Sequence, residues 1–218
     1  EIMKEYDDLE EKKLYTVFKQ LSSNFTKTSL VTLFNHELQP NAKRIYNPSE
    51  LSLVVNNEAY IGGYEPKNQV VTVGMPRVRY SMYLEEETCN NLMDMYRACY
   101  DEGYRDMILT AAFISYDVAS LEDKGVIPGY NEYQLGTTVN LQKSEISVAD
   151  FNQTDIYQWL INHCHEYGFI LRYPADKVMV TGHEYSPTTF RYVGKDIATE
   201  LYEQNLALEE YKDKGDKE

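Results

Sequence analysis

Two segments with helical periodicity, each followed by a strand-like apolar run, constrain the fold of this chain most strongly. Residues 85–104 carry an apolar face, acidic residues in the first turn and Gly103 as a stop signal, and the apolar run 106–116 follows. Residues 148–168 repeat the arrangement, with Thr154 or Asp155 as the helix cap and Gly168 just past the end. The pattern predicts helices that alternate with strands of one sheet.

Shorter segments complete the predicted architecture. Residues 195–218 are helical in pattern and end in a fully charged tail. Five further segments read as strands: residues 29–34, 51–55, 131–141, 169–174 and 189–194. Turn-rich connections favour antiparallel neighbours, so we expect an α+β fold with a central, mainly antiparallel sheet and helices packed on it. We expect a charged helical lead-in at 1–29, one domain at 30–212 and a charged tail at 213–218.

Composition and charge exclude some classes of partner. The 218 residues carry a formal charge of −14, which disfavours nucleic acid and anionic membrane surfaces as direct partners. A hydrophobic content of 43% is typical of a folded globule, and no run is long enough to span a membrane. Cys89, Cys99 and Cys164 lack metal-type spacing. Three buried thiols are expected, with one disulfide and a free thiol as the alternative.

The four histidines do not form a motif that would carry catalysis. His163 and His165 are two positions apart on a predicted helix, so they point to different faces and do not share a metal readily. His36 has no spaced partner. His183, beside Glu184 in a turn before a strand, is the one histidine with a conceivable role as a ligand or acid–base group. No phosphate-binding glycine loop or nucleophile elbow is present in the sequence.

The C-terminal half resembles a known family. The runs WLINHCHEYGFILRYP and VTGHEYSPTTFRYVG are similar to VanY-type D-alanyl-D-alanine carboxypeptidases, zinc peptidases of the LAS group that trim peptidoglycan stem peptides. The order of elements over about residues 30–212 fits the same family. The resemblance therefore implies the LAS fold, which is shared with hedgehog-like and D-Ala-D-Ala peptidase-like domains.

The functional signatures of that family are altered in this chain. The first signature, Ser-x-His-x-x-Gly-x-Ala-x-Asp, falls on residues 131–140, where Glu132, Gln134 and Gly136 fit its common form. By resemblance, the zinc ligands correspond to Tyr133, Asn140 and Thr189, the catalytic glutamate to Ser186 and the substrate-binding arginine to Ile114.

These substitutions change the chemistry of the site. A catalytic zinc site needs about three good ligands, such as imidazole and carboxylate groups, plus an open position for water. A phenol, an amide and a hydroxyl are neutral oxygen donors that compete poorly with water for zinc. Isoleucine cannot hold a carboxylate as arginine does. We therefore expect no bound zinc and no other cofactor.

The altered signatures lead to the expectation that the chain is not an enzyme, but an inactive VanY-like homologue. Its metal-free cleft would bind a cell-wall peptide or an envelope protein, through the residues Ile114, Tyr133, Gln134, Asn140, His183, Ser186 and Thr189. The alternatives are an active zinc D,D-carboxypeptidase with an unorthodox site, a scaffold or regulatory subunit, and a binder of another small ligand.

The resemblance also implies a location outside the cytoplasm, at the bacterial cell envelope, because the substrates of the family lie there. The chain begins at Glu1 rather than methionine. An export signal or anchor helix upstream is expected on that ground, and no direct membrane insertion is expected of the segment itself.

Overall fold

The computed structural model describes Lys19, residues 21–121 and residues 126–211. The predicted charged tail and most of the lead-in lie outside the described residues. The fold divides into two compact units: unit 1 lies within residues 1–67 and 114–135, and unit 2 lies within residues 68–113 and 136–218. The prediction of one domain at 30–212 stays a prediction.

Unit 1 contains short elements around an aromatic core. Its elements are helix α1 (Lys27–Asn35), strands β1 (Lys43–Arg44) and β2 (Ala59–Tyr60), helix α3 (Tyr116–Leu121) and a 3₁₀ turn at Glu132–Leu135. Strands β1 and β2 pair in parallel. The core includes Leu33, Tyr60, Ile61, Tyr64 and Tyr130, and the rings of Tyr60 and Tyr130 lie 4.9 Å apart.

Two strand predictions in unit 1 are wrong. Residues 29–34 lie within helix α1, where Thr26 and Ser29 form a reciprocal capping box that starts the helix. Ser29 and Leu33, four positions apart, are its buried residues, so the apolar run follows the helical period. Residues 51–55 form turns and irregular chain rather than a strand.

Unit 2 is built on a four-stranded antiparallel sheet in the order β5-β6-β8-β7. These strands are β5 (Met107–Ala111), β6 (Thr138–Lys143), β7 (Phe169–Tyr173) and β8 (Ser186–Tyr192). A separate antiparallel pair comprises β3 (Gln69–Val71) and β4 (Tyr83–Glu85). The helices are α2 (Glu86–Asp101), α4 (Asp155–His163), α5 (Val178–Thr181) and α6 (Lys195–Gln204). The expected α+β class with a mainly antiparallel sheet is confirmed.

Helices α2 and α4 start near the predicted signals, whereas the helix predicted over residues 195–218 ends at Gln204, where Asn205 adopts a left-handed conformation. Helix α2 ends next to Gly103, whose φ of +97° suits glycine, and it buries Leu92, Met95 and Cys99. Thr154 caps α4 by accepting a hydrogen bond from the Tyr157 N–H. Helix α6 packs against β7 and the 3₁₀ turn at Cys164–Tyr167, while α2 contacts α4.

The predicted strand at residues 131–141 begins later than expected. The Asn131 side chain accepts the Tyr133 backbone N–H at 3.0 Å, and the chain forms the 3₁₀ turn Glu132–Leu135. Gly136 then adopts a φ of +71°, and the strand itself starts at Thr138. The Asn131 turn competes with strand pairing, so Tyr133 is presented by a turn and not by a strand.

Candidate functional site

Asn140 and Thr189 face each other across β6 and β8. They are directly opposite partners in the antiparallel register, so their side chains leave the sheet on the same face. The next pair, Val139 and Phe190, is fully buried on the other face. This alternation separates an apolar core face from a polar face, and it places Asn140 and Thr189 on the polar one.

Ser186 joins this polar face through its hydroxyl. Its Oγ lies 2.7 Å from Oγ1 of Thr189 and 3.4 Å from Oγ1 of Thr188. Thr189 is only 4% exposed, whereas Ser186 and Asn140 are partly exposed. The side chains named here are therefore three hydroxyls and an amide, all of them uncharged.

His183 lies apart from that group in the turn between α5 and β8. Its side chain is exposed, and its ring lies 4.5 Å from the ring of Tyr173. Its backbone N–H donates to Oγ1 of Thr181 at 3.2 Å. Within the described residues, no group of three or more His, Cys, Asp or Glu side chains could hold a metal ion.

Gln134, in unit 1, is a buried structural side chain. It has no exposed surface, and its Nε2 donates to the backbone carbonyls of Gly62 at 2.7 Å and Tyr64 at 2.9 Å. Its Oε1 accepts the Gly129 N–H at 3.1 Å. Because both polar atoms are occupied, the amide links the chain at residues 62–64 to the chain at residues 129–134.

Tyr133 and Ile114 are neighbours in unit 1. The Ile114 N–H donates to the Tyr133 carbonyl at 3.4 Å, and both side chains are half-buried. Asn131, which sequence analysis did not single out, lies beside them. It is 6% exposed, and its Nδ2 has no hydrogen-bond partner among the described residues. Asn131 could have been found from the first family signature, in which it stands at the position of the serine.

The three described positions in unit 2 do not fit a zinc ion held in the usual manner. Asn140, Ser186 and Thr189 offer amide and hydroxyl oxygens, without the imidazole or carboxylate groups that zinc sites in proteins use. Thr189 is also nearly buried with its hydroxyl already paired. These three side chains therefore support no catalytic step through zinc.

Comparison with protein families identifies the chain. A model of the VanY D-alanyl-D-alanine carboxypeptidase family matches residues 117–195. A putative carboxypeptidase, YodJ of Bacillus subtilis, is 30% identical over 196 residues, which cover 78% of this chain and 70% of the relative. The chain belongs to the VanY family.

Two further relatives of this VanY-family protein come from enterococci. A D-alanyl-D-alanine carboxypeptidase of Enterococcus faecalis is 33% identical over 62% of this chain, which spans about half, 54%, of that relative. The bifunctional D-Ala-D-Ala dipeptidase and carboxypeptidase VanXYC of Enterococcus gallinarum is 30% identical, with 75% of this chain and 93% of the relative covered.

Solved structures agree with the family and the fold. The LD-carboxypeptidase LdcB, described with its peptidoglycan recognition, superposes with a TM-score of 0.71 at 27% identity, covering 80% of this chain and 91% of that one. VanYB in complex with D-alanine-D-alanine gives 0.56 at 28% identity, covering 73% and 96%. The expected LAS-type fold is confirmed.

These comparisons correct one expectation. The prediction that the chain is not an enzyme is wrong, because its relatives are named carboxypeptidases and the similar structures are of enzymes. The prediction equated the loss of the usual metal ligands with the loss of activity. The identity of the metal-ligating side chains determines which metal a site can hold. By itself it does not show whether the protein turns over a substrate.

Proposed function

We propose that this VanY-family protein acts on the carboxyl end of peptidoglycan stem peptides, as a carboxypeptidase with an unorthodox centre. The observation that carries the proposal is the family match over residues 117–195, which includes the strands with Asn140, Ser186 and Thr189. It is supported by relatives named for D-alanyl-D-alanine carboxypeptidase activity and by a similar structure that holds D-alanine-D-alanine.

The polar face of unit 2 has groups suited to a peptide. The hydroxyls of Ser186 and Thr189 both donate and accept, and the Asn140 amide does the same. A peptide end presents carbonyl oxygens, amide N–H groups and a carboxylate, all of which such groups can bind. Each net hydrogen bond contributes about 1 kcal/mol, so several are needed for measurable affinity. His183 remains a proposed ligand contact of unit 2, and Ile114 and Tyr133 remain proposed ligand contacts of unit 1.

The proposed place of action is outside the cytoplasm, at the bacterial cell envelope, because cell-wall peptides lie there. Within the described part of the chain, no helix combines the length and apolar character needed to cross a membrane.

An envelope protein is a second candidate partner, on the ground of one surface feature. Helix α5 exposes three consecutive apolar side chains, with Met179 95% exposed between Val178 at 37% and Val180 at 42%. These residues precede His183 in the chain and belong to unit 2. A flexible, exposed methionine flanked by valines is a common element of protein-binding surfaces.

The test of the proposed function is a release assay. The protein is incubated with a stem pentapeptide that ends in D-alanyl-D-alanine, and free D-alanine is measured alongside peptide binding by calorimetry. We expect release and saturable binding, both reduced in Ser186→Ala. The control is Ser144→Ala, which removes a hydroxyl of the same unit from the turn that follows β6. Binding without release of D-alanine would contradict the proposed hydrolysis. Absence of both binding and release would contradict the whole proposal.

A further inference from the structure

The polar face of β6 and β8 carries a further inference, which rests on the proposed function. We propose that Asn140, Ser186 and Thr189 take a neutral hydrogen-bonding group of the peptide, such as a backbone amide, at the place where zinc would be held. The face would then recognise its ligand by hydrogen bonds alone. Its affinity for the peptide would be independent of zinc.

The hydrogen-bond inventory of the two hydroxyls supports an amide ligand. Ser186 and Thr189 have one proton each, and their mutual bond of 2.7 Å uses one of the two protons. Thr188, whose Oγ1 lies 3.4 Å from Oγ of Ser186, is a third hydroxyl of this cluster, and the partly exposed Ser186 is the member that can reach a further partner. A peptide group has one N–H donor and one carbonyl acceptor, and a hydroxyl can accept from the one or donate to the other.

The position of the pair in the sheet supports the same conclusion. Thr189 is 4% exposed and lies opposite Asn140, while Ser186 begins β8 opposite Tyr173 of β7. Hydrogen-bonded strands hold both backbones, so the face is preorganised and loses little freedom on binding.

Charge argues against a cation on this face. An amide and two hydroxyls supply no negative charge, whereas zinc in proteins is held by thiolate, imidazole or carboxylate groups. Glu184 is exposed in the turn before β8, and the ring of His183 beside it lies tilted against the ring of Tyr173. Those two groups do not make up a set of three ligands in the described residues.

The first part of the test measures zinc. The native chain is incubated with excess zinc, desalted and analysed for metal, beside an Asn140→Asp/Thr189→His variant checked for folding by circular dichroism. We expect near-zero zinc in the native chain and roughly a tenfold or greater gain in zinc affinity in the variant. One zinc per native chain would overturn the inference and leave the proposed function standing. The zinc content of the native chain tests the inference even when the variant does not fold.

The second part measures peptide affinity. Binding of the D-alanyl-D-alanine-ended peptide is titrated with and without a chelator, in the native chain and in Thr189→Val, which keeps the shape and removes the hydroxyl. We expect no change with the chelator and a loss of roughly fivefold in Thr189→Val, the value of about one hydrogen bond. Peptide binding that Thr189→Val leaves unchanged, or that the chelator abolishes, would overturn the inference alone. Absence of both binding and D-alanine release would instead overturn the proposed function.

Discussion

Arg172 and Glu209 form a bidentate ion pair that links the 3₁₀ turn Leu208–Glu210 to β7. The guanidinium donates through Nη1 at 3.0 Å and through Nη2 at 2.6 Å to the two carboxylate oxygens. Arg172 is 1% exposed and Glu209 15%. Arg172 also lies over the Tyr173 ring, with its Cζ 4.7 Å from the centroid. A charge this deeply buried requires its partner.

Glu209→Gln is therefore expected to destabilise the protein strongly. Removal of the carboxylate takes from the buried Arg172 the negative charge that Glu209 supplies at 2.6 and 3.0 Å, at a cost of about 3 kcal/mol. Urea unfolding followed by circular dichroism measures the change, and Glu203→Gln on the exposed surface of α6 is the matched control, expected within about 0.5 kcal/mol of the native chain. Equal losses in the two variants would contradict the assignment.

Gln134→Leu is expected to destabilise unit 1. The substitution keeps a side chain of similar size but leaves two carbonyls and one N–H, of Gly62, Tyr64 and Gly129, without their buried partner. Each such group costs about 1 kcal/mol or more, so a total of roughly 3 kcal/mol is expected. Denaturant unfolding measures it. A midpoint unchanged from the native chain would show that the amide has no structural role.

The three cysteines are expected to resist thiol reagents while the protein is folded. All are free and buried. Burial raises the pKa of both Cys99 and Cys164 to about 12, and it also raises the pKa of Cys89. The thiolate is the reactive form, so a disulfide reagent at pH 8 should react only slowly with the native chain. After unfolding, the same reagent should react with all three thiols. Fast reaction of any thiol in the native chain would contradict this.

Asp155 is expected to contribute stability that is lost at acidic pH. A hydrogen bond from Lys143 at 2.8 Å, aided by the Ile156 backbone N–H, lowers the pKa of Asp155 below its ordinary value. A lowered folded-state pKa means that the stabilisation is present above the unfolded pKa and is lost as the pH falls through the folded one.

The carboxylate is 57% exposed, so the effect stays below about 1 kcal/mol. Unfolding free energy, measured in steps from pH 7 to pH 2, should fall less in Asp155→Asn than in the native chain. Identical acid profiles of the two proteins would refute this role.

The sequence predicted the longer helices, whose apolar periodicity and end signals lie within the segment itself. The apolar faces of α2 and α4, the Gly103 stop after α2 and the Thr154 cap of α4 all appear in the structure. Residues 29–34 were mistaken for a strand because a six-residue apolar run fits both periods, and the capping box of Thr26 and Ser29 decides for a helix.

The site was predictable only in part. Resemblance gave the positions of Asn140 and Thr189, and strand register places them opposite each other. The structural role of Gln134 depends on carbonyls about 70 residues away in sequence, which no local pattern reveals. Asn131 was overlooked because its unpaired Nδ2 results from burial, a property of the fold.

The central claim is that this VanY-family protein recognises the carboxyl end of a stem peptide. Calorimetric titration with a pentapeptide that ends in D-alanyl-D-alanine tests it most directly, beside the same peptide ending in L-alanine. We expect saturable binding of one peptide per chain and weaker binding of the L-ended peptide. Absence of binding, or equal binding of the two peptides, would contradict the claim.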